Sequence, residues 1–316
     1  MHTVWIGAAG TATGYGIARS LRTHWGDRVR LVTADINPAH LVAASELADA
    51  HVVVPPVAQA DRLARALRDG FEAHGVDTYF PLLVAEIVLA AGLAEALGVS
   101  LVGPGAAAAA LCADKLEAAR WMEAHGIPAP PTVSAAEARW WPEGVVVKPR
   151  SGQGSHGVET IAAEAELGRA RERGEDAVAQ RRCRPPEITV DAFASRDGAL
   201  FRSVCRERLE VKAGVCTKAR LFEDAELADV VRTIAGELGH AGVLCVQAMR
   251  GPDGYEVTDL NPRPGAGTPM SALAGVDVTA AALADLWGED PEPFLGRFEG
   301  EPFVVRRYEE ILRYPA

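Results

Sequence analysis

A length of 316 residues, 48% of them hydrophobic and 24% charged, predicts two or three folded domains and argues against wholesale disorder. The 32 basic and 43 acidic residues give a formal net charge of −11, which argues against a broad phosphate-binding surface and therefore against nucleic acid as a partner. The five cysteines are scattered without C-x-x-C spacing, so the sequence indicates neither a disulfide framework nor a zinc site.

The N-terminus enters a strand-like run without the basic and apolar regions of a signal peptide. The apolar segments, such as residues 82–91 and 101–113, are interrupted by charged residues, Gly or Pro before about 18 residues accumulate. We therefore predict a soluble, cytoplasmic protein with no membrane partner.

Residues 1–103 alternate short β-rich runs with helical patterns, which is typical of βαβ units around a parallel sheet. The predicted strands are Val4–Ile6, Arg30–Thr33, Val52–Val54, Tyr79–Phe80 and Leu101–Val102. The predicted helices are Gly16–Trp25, Ala39–Leu47, Ala60–His74 and Ala85–Leu97. An open α/β domain is expected here.

After the breaker Gly103-Pro104-Gly105, residues 106–125 predict two helices, with Asp114 as an N-cap. Beyond Pro128 strands follow one another with few helices between them, which favours a more antiparallel arrangement. Two later helices are predicted, Ala225–Leu238 and Asp277–Trp287. The predicted strands are Val145–Lys148, Glu159–Ile161, Val178–Gln180, Glu187–Phe193, Leu200–Cys205, Gly214–Ala219, Val243–Met249 and Tyr255–Asp259. The fold class is therefore α/β followed by α+β.

Two glycine-rich loops differ in what they indicate. The first, residues 7–16, lacks G-x-G-x-x-G spacing, so an ordinary β–α turn near a substrate cleft is favoured over a dinucleotide site, although Asp35 follows the next strand. The second, residues 152–157, has that spacing but lies between two strands, where bare backbone N–H groups and the Ser155 hydroxyl can cover phosphates. Lys148 ends the preceding strand and adds a cation. The alternative is an ordinary hairpin with a solvated lysine.

A β-hairpin near the C-terminus carries candidate metal ligands. Strands 243–249 and 255–259, closed by Pro252-Asp253-Gly254, would bring Gln247 near Asp259, and alternation places Asp259 and Asn261 on one face. Hard oxygen ligands of this kind suit Mg²⁺ when phosphate oxygens complete the shell. Arg263, two residues further on, is placed to hold a transferring phosphate.

Taken in order, these segments resemble the ATP-grasp superfamily, most closely the branch of the carbamoyl phosphate synthetase large subunit and the pyrrolysine-pathway ligase. The segments that carry the resemblance are Thr33 to Pro38, the Asp77…Pro81…Glu86 stretch, Asp114-Lys115, Lys148 to Gly157, Glu187 to Asp191, Gly214 to Thr217 and Asp259 to Arg263. The resemblance implies an N-terminal parallel-sheet (pre-ATP-grasp) domain at residues 1–108, a small lobe at 109–184 and a C-terminal lobe with the metal site at 185–316.

The resemblance also implies roles for individual residues. The residues implied to bind ATP are Lys115 and Lys148, the loop positions Gly152, Gly154, Ser155 and Gly157, the adenine hinge Gln180, Arg181 and Cys183, and Glu187 on the ribose. Gln247, Asp259 and Asn261 are implied to bind one or two Mg²⁺ ions, with Mn²⁺ as a substitute. Asp259 stands where Glu is usual, and its shorter side chain has less reach to bind a second ion.

A basic group near Gly214–Thr217 is implied to lie at the γ-phosphate and acyl phosphate, with Arg263, Arg206 and Lys218 as the catalytic cations and Arg208 and Lys212 beside them. Cys216 is expected to be a wall residue rather than a nucleophile, and Glu86 is a candidate for recognising an amine.

The resemblance implies an ATP-dependent carboxylate–amine ligase that acts through an acyl phosphate, releases ADP and phosphate, and takes small-molecule substrates. Homodimerisation is implied by the resemblance alone. Two alternatives stay open: a carbamoyl- or carboxyphosphate-forming enzyme, and a non-catalytic nucleotide-binding module.

Overall fold

The computed structural model describes residues 1–152, 157–307 and 309–315. Within those ranges the strands form three sheets, which follow one another along the chain. None of the helices in this part of the chain combines the length and apolar character needed to cross a membrane.

The first sheet is parallel and opens the chain. Its strand order is β3-β2-β1-β4-β5, so the order reverses between β1 and β4. Ligands of open α/β sheets bind beyond the carboxyl ends of the strands at such a reversal. Its elements are β1 (His2–Ile6), α1 (Ala12–Trp25), β2 (Val29–Asp35), β3 (Ala50–Val53), α2 (Ala60–His74), β4 (Thr78–Phe80), α3 (Val84–Leu97) and β5 (Ser100–Leu101).

The predicted helix Ala39–Leu47 is wrong. The segment forms two 3₁₀ turns, Ala39–Leu41 and Ala43–Leu47, instead of a continuous α-helix. The Ser45 hydroxyl donates to the carbonyl oxygens of Ala39 at 2.7 Å and Val42 at 2.8 Å. A serine that bonds to nearby backbone in this way competes with helical hydrogen bonding.

A four-stranded sheet in the order β6-β9-β7-β8 forms the small lobe. Asp114 caps the second helix as predicted, because its carboxylate accepts the backbone N–H groups of Leu116 and Glu117. Val145, Val147 and Ile161 fill the lobe's core. The elements are α4 (Ala106–Ala113), α5 (Lys115–Ala124), β6 (Thr132–Ser134), β7 (Val145–Pro149), β8 (Glu159–Ile161), α6 (Leu167–Arg171) and β9 (Ala177–Arg181).

The C-terminal lobe is built on a six-stranded antiparallel sheet in the order β14-β13-β10-β11-β12-β15. The predicted hairpin is present, with a turn over residues 251–254. The elements are β10 (Arg184–Ala194), β11 (Phe201–Lys212), β12 (Val215–Phe222), α7 (Ala225–Glu237), β13 (Gly242–Arg250), β14 (Tyr255–Asn261), α8 (Thr268–Leu273), α9 (Val278–Trp287) and β15 (Phe303–Val305).

The N-terminal domain packs directly on the C-terminal lobe through α1. A Cβ built on Gly16 would lie 2.1 Å from Cγ of Pro269, so only glycine lets α1 and α8 approach this closely. Ile17 and Leu21 of α1 share one core cluster with Val278 and Leu283 of α9. The two halves of the molecule are therefore joined by apolar burial.

Asp277 adds a polar link to the same contact. Its carboxylate caps α9 and accepts the Ser20 hydroxyl at 2.6 Å, while His24 Nε2 lies 3.3 Å away. Burial raises the pKa of Asp277, but His24, Ser20 and the Ala280 N–H together outweigh burial and hold the pKa below its usual value.

We expect Asp277→Ala to lower the free energy of unfolding by about 1–2 kcal/mol at pH 7, because a helix cap and an interdomain hydrogen bond are lost. A carboxylate with a depressed folded-state pKa stabilises the protein above its unfolded pKa of about 4 and loses that contribution as pH falls through the folded pKa. The difference between wild type and variant should therefore shrink below about pH 4. Urea unfolding at pH 7 and at successively lower pH measures the difference in the free energy of unfolding between the two proteins. A difference that does not change with pH would contradict a stabilising role for the ionised Asp277 carboxylate.

Candidate functional site

A cavity of about 460 Å³ lies where the three parts of the chain meet. The N-terminal domain contributes Thr11 to Thr13 after β1 and Leu82-Leu83 after β4, which are the two loops at the strand-order reversal of its sheet. The small lobe contributes Lys115 and Lys148 among others. The C-terminal lobe contributes residues Thr189, Arg206, Arg208, 213–216, Cys245, Gln247, 258–259, Asn261, Arg263 and 265–267.

Lys148 is buried at the end of β7 with its ammonium fixed from two sides. Nζ donates to Gln180 Oε1 at 3.0 Å and to the carbonyl oxygen of Thr258 at 2.7 Å. Gln180 is itself oriented, because its Nε2 donates to the Thr132 hydroxyl at 2.9 Å. Burial lowers the pKa of Lys148, and Asp259 partly offsets that effect. No spacing in the sequence indicates this use of the Gln180 side chain and of Thr132.

Lys115 lies at the start of α5 and reaches the second glycine loop. Its Nζ donates to the carbonyl oxygen of Gly152 at 2.8 Å, and both residues line the cavity. Gly152 and Gly157 have φ of 128° and 69°, which favour glycine. Gly154 and Ser155 lie outside the described residues, so their predicted phosphate contacts remain predictions.

The hairpin residues converge as the alternation predicted. Gln247 lies opposite Asp259 in the register of β13 and β14, and Asn261 Nδ2 donates to Asp259 Oδ2 at 2.9 Å. Arg263 Nη2 donates to Asn261 Oδ1 at 3.1 Å. All four side chains belong to residues that line the cavity.

The side chains of Gln247, Asp259 and Asn261 together supply one carboxylate and two amide oxygens. Among the described residues no group of three or more His, Cys, Asp and Glu side chains is placed to hold a metal ion. This donor set fits a hard cation such as Mg²⁺ whose remaining ligands are phosphate oxygens and water, and it does not fit a cation held by the protein alone.

Arg263 carries an unsatisfied donor at the cavity wall. Its Nη1 donates to the Pro264 carbonyl oxygen at 3.0 Å, but its Nε is buried without a hydrogen-bond partner among the described residues. Burial lowers the pKa of its guanidinium, with Asp259 acting in the opposite direction. A buried unpaired N–H group is costly, which is expected where a ligand completes the hydrogen bonding.

Glu187 lies beside two cavity-lining side chains. Its Oε1 accepts a hydrogen bond from Arg208 Nη1 and another, at 2.5 Å, from Gln247 Nε2. The glutamate therefore takes up the NH₂ group of Gln247 and leaves its amide oxygen without a hydrogen-bond partner among the described residues.

A buried ion pair that the sequence did not indicate holds Arg206. Arg206 is 2% exposed, and its Nε and Nη2 donate to the two carboxylate oxygens of Asp191, which is 0% exposed. Thr268 and Ser271 of α8 donate to the same carboxylate at 2.7 and 2.9 Å. Burial lowers the pKa of Arg206, but the Asp191 carboxylate outweighs burial and raises it above its ordinary value. Arg206 thus lines the cavity as a fixed donor.

Lys218 and Lys212 are not among the residues that line the cavity, although residues 213–216 between them are. Lys218 stands opposite Glu210 in the register of β11 and β12 and donates to it at 2.9 Å, and Lys212 lies 3.5 Å from the same carboxylate. The two ammonium side chains are 50% and 62% exposed. The Lys218 hydrogen bond, with help from Thr217 and Lys212, lowers the pKa of Glu210 to about 2. This pairing with Glu210 keeps both ammonium groups at the surface, and the catalytic role of Lys218 stays a prediction.

The predicted hinge and amine-recognition residues make other contacts. The Arg181 side chain pairs with Glu256, and its backbone N–H donates to the Pro131 carbonyl oxygen at 3.0 Å. Cys183 Sγ lies 3.3 Å from Glu256. Glu86 is buried against the Tyr79 hydroxyl at 2.5 Å and accepts the N–H of Leu82, so it shapes the start of α3 and does not line the cavity.

Comparison with known proteins gives a match for the central part of the chain. Residues 112–267 match the model of the ATP-grasp domain. None of the curated proteins matches the sequence significantly.

Solved structures share the fold over nearly the whole chain. Pyruvate carboxylase T882A from Rhizobium etli, with acetyl coenzyme A, matches with a TM-score of 0.76 at 19% identity over 96% of this chain. This chain spans 30% of that protein. The biotin carboxylase domain of the Hydrogenobacter thermophilus 2-oxoglutarate carboxylase, in complex with MgADP and bicarbonate, gives 0.76 at 18% identity over 96% of this chain and 74% of its own. An L-amino acid ligase from Bacillus licheniformis gives 0.73 at 14% identity over 93% and 76%.

Proposed function

We propose that this protein, whose residues 112–267 match the model of the ATP-grasp domain, is an ATP-dependent ligase that joins a carboxylate to an amine through an acyl phosphate. The observation that carries the proposal is a single cavity. It is lined by the cations Lys115 and Lys148, by Gln247, Asp259 and Asn261 of the β13–β14 hairpin, and by Arg263, whose Nε has no hydrogen-bond partner among the described residues. The membership of the carbamoyl phosphate synthetase and pyrrolysine-ligase branch stays a prediction from the sequence.

ATP is proposed to lie between the small lobe and the hairpin. Lys115 and Lys148 would compensate the phosphate charges, with Gly152 and Gly157 at the ends of the covering loop, and Glu187 would bind the ribose. Gln180, Arg181 and Cys183 remain the proposed adenine hinge; with the N–H of Arg181 already donated to Pro131, its contribution would come from its carbonyl oxygen. The burial of Lys148 supports its role, because a charge in a dry site interacts strongly with phosphate.

Gln247, Asp259 and Asn261 are the proposed ligands of one Mg²⁺ ion, or of two, with Mn²⁺ as a substitute. When bound, the ion would offset charge on the transferring phosphoryl group and help to align it. The Asn261–Asp259 hydrogen bond supports this assignment, because it orients the single carboxylate in the cavity.

The proposed reaction has two steps. A carboxylate oxygen attacks the γ-phosphorus of ATP and the bond to the β-phosphate oxygen breaks, which gives an acyl phosphate and ADP. The amine nitrogen then attacks the acyl carbon, phosphate leaves, and the nitrogen loses a proton to give the amide. Arg263, and Arg206 at the same cavity, would stabilise charge on the reacting groups, and the chain itself would form no covalent bond.

A second candidate is the formation of carboxyphosphate or carbamoyl phosphate, for which bicarbonate would be the acid. The fold shared with a biotin carboxylase domain crystallised with bicarbonate supports its inclusion. A homodimer, a cytoplasmic location and small-molecule substrates without nucleic acid remain predictions from the sequence.

The deciding experiment identifies the products. Purified protein is incubated with Mg²⁺-ATP and with either bicarbonate or pairs of the twenty L-amino acids, and nucleotides are separated by chromatography. We expect ADP and phosphate in amounts equal to the amide formed. AMP and pyrophosphate would reject the acyl-phosphate route, while ADP release that depends on bicarbonate alone would favour the second candidate. Nucleotide binding without turnover of any kind would indicate a binding module.

A further inference from the structure

Arg206 presents one donor of a buried guanidinium to the cavity. Its Nε and Nη2 are bonded to Asp191, whereas Nη1 has no hydrogen-bond partner among the described residues. The side chain is almost fully buried yet lines the cavity, so Nη1 is the guanidinium nitrogen left available to a ligand there.

Gly267 is what allows this arrangement. A Cβ built on Gly267 would lie 2.0 Å from Arg206 Nη1 and 2.2 Å from Cζ. The φ of Gly267 is −94°, which any residue adopts, so the requirement at this position is space and not backbone conformation. The guanidinium occupies the volume that a side chain at residue 267 would take.

The first turn of α1 faces the same cavity from the N-terminal domain. Thr11 to Thr13 line it, and the contact between Gly16 and Pro269 fixes α1 against α8, which begins immediately after Gly267. The first turn of α1 contains no acidic residue, and α1 is 14 residues long, so its N–H groups and dipole favour an anion. The carboxylate of Asp35, the last residue of β2, already accepts hydrogen bonds from Gly10 and Asn37.

We propose that Arg206 Nη1 and the start of α1 form a carboxylate subsite that holds the acid substrate, separate from the lysines that bind ATP. The inference rests on the proposed ligase function. Asp191 compensates the charge of Arg206, so the guanidinium offers directional N–H groups with little net charge. Such a donor suits a singly charged carboxylate, and a polyphosphate is better matched by the uncompensated lysines.

The test is a thermal-shift titration of the full chain with MgADP and then with acetate, glycine or L-alanine, against acetamide, glycinamide and L-alaninamide at constant ionic strength. We expect the acids, and not the amides, to raise the melting temperature saturably. Gly267→Ala should weaken the apparent affinity for the acids about tenfold or more, because the added methyl displaces a charge-assisted donor. The same variant should keep the melting-temperature shift with MgADP. Gly92→Ala is the matched control, since nothing lies within 4 Å of its Cβ.

Arg206→Lys is a second variant, which keeps a positive charge beside Asp191 but loses Nη1; it should lose the carboxylate response as well. The subsite is rejected if no acid raises the melting temperature of the wild type, or if Gly267→Ala and Arg206→Lys respond like Gly92→Ala. A wild type that gives no MgADP shift would count against the ligase function instead, so the two failures are distinguishable.

Discussion

Replacement of Lys148 by methionine is expected to lower the rate of ADP release about a hundredfold or more, the cost of removing one preorganised charge-stabilising donor from an active site. Methionine preserves the buried stem of Lys148 and removes the ammonium that Gln180 and Thr258 hold in place. The lost interaction is charge stabilisation at the phosphates, so the variant should fold and fail in turnover. The measurement is ADP release in a coupled assay with the acid and amine pair that the product analysis identifies.

Lys212→Met is the matched control for this prediction. Lys212 is largely exposed and pairs with Glu210 outside the cavity, so the same change of residue type should leave the rate within about twofold, as for other surface substitutions. Circular dichroism checks that both variants are folded. If Lys148→Met turns over as fast as Lys212→Met, the assignment of the phosphate site is wrong.

Removal of the Asp191 carboxylate should cause the largest loss of stability. Asp191→Ala leaves Arg206 as a buried charge without its partner and deprives Thr268 and Ser271 of their acceptor. Breaking one partner of a buried pair costs about 3–5 kcal/mol. Urea unfolding with comparable m-values measures the difference in the free energy of unfolding.

Asp229→Ala provides the comparison, because Asp229 pairs with Arg232 on the exposed face of α7. Asp229→Ala should lower the free energy of unfolding by no more than about 0.5 kcal/mol. The double variant Asp191→Ala/Arg206→Met should be more stable than Asp191→Ala, since no buried charge is left unpaired. A double variant that is less stable than the single variant would show that the loss comes from packing and not from the unpaired guanidinium.

Local patterns were sufficient to predict most of the elements and the polar hairpin. Alternation along two short strands and a recognisable turn bring Gln247, Asp259 and Asn261 together, and these interactions span few residues of chain. Asp114 is predictable for the same reason, because a helix cap acts within one turn.

What the sequence could not provide is the partner of each side chain across the fold. Asp191 contacts Thr268 and Ser271, which lie 77 and 80 residues further along the chain, and no spacing rule links them. Alternation also could not show that Glu210 would take up Lys218, because the register of β11 and β12 contains shifts around Glu210. The burial of Glu86 likewise depends on Tyr79 and on the start of α3, which no local pattern shows.

Arg306 joins two segments of the cavity wall that lie far apart in the sequence. Arg306 Nε donates to the Cys216 carbonyl oxygen at 3.0 Å and its Nη2 donates to the Ala266 carbonyl oxygen, while β15 completes the sheet beside β12. On the ribosome, chains fold from the N-terminus as they emerge. The strand that carries Cys216 and the loop that carries Ala266 are therefore made well before the guanidinium that joins them. This part of the cavity wall can therefore be completed only after Arg306 has left the ribosome.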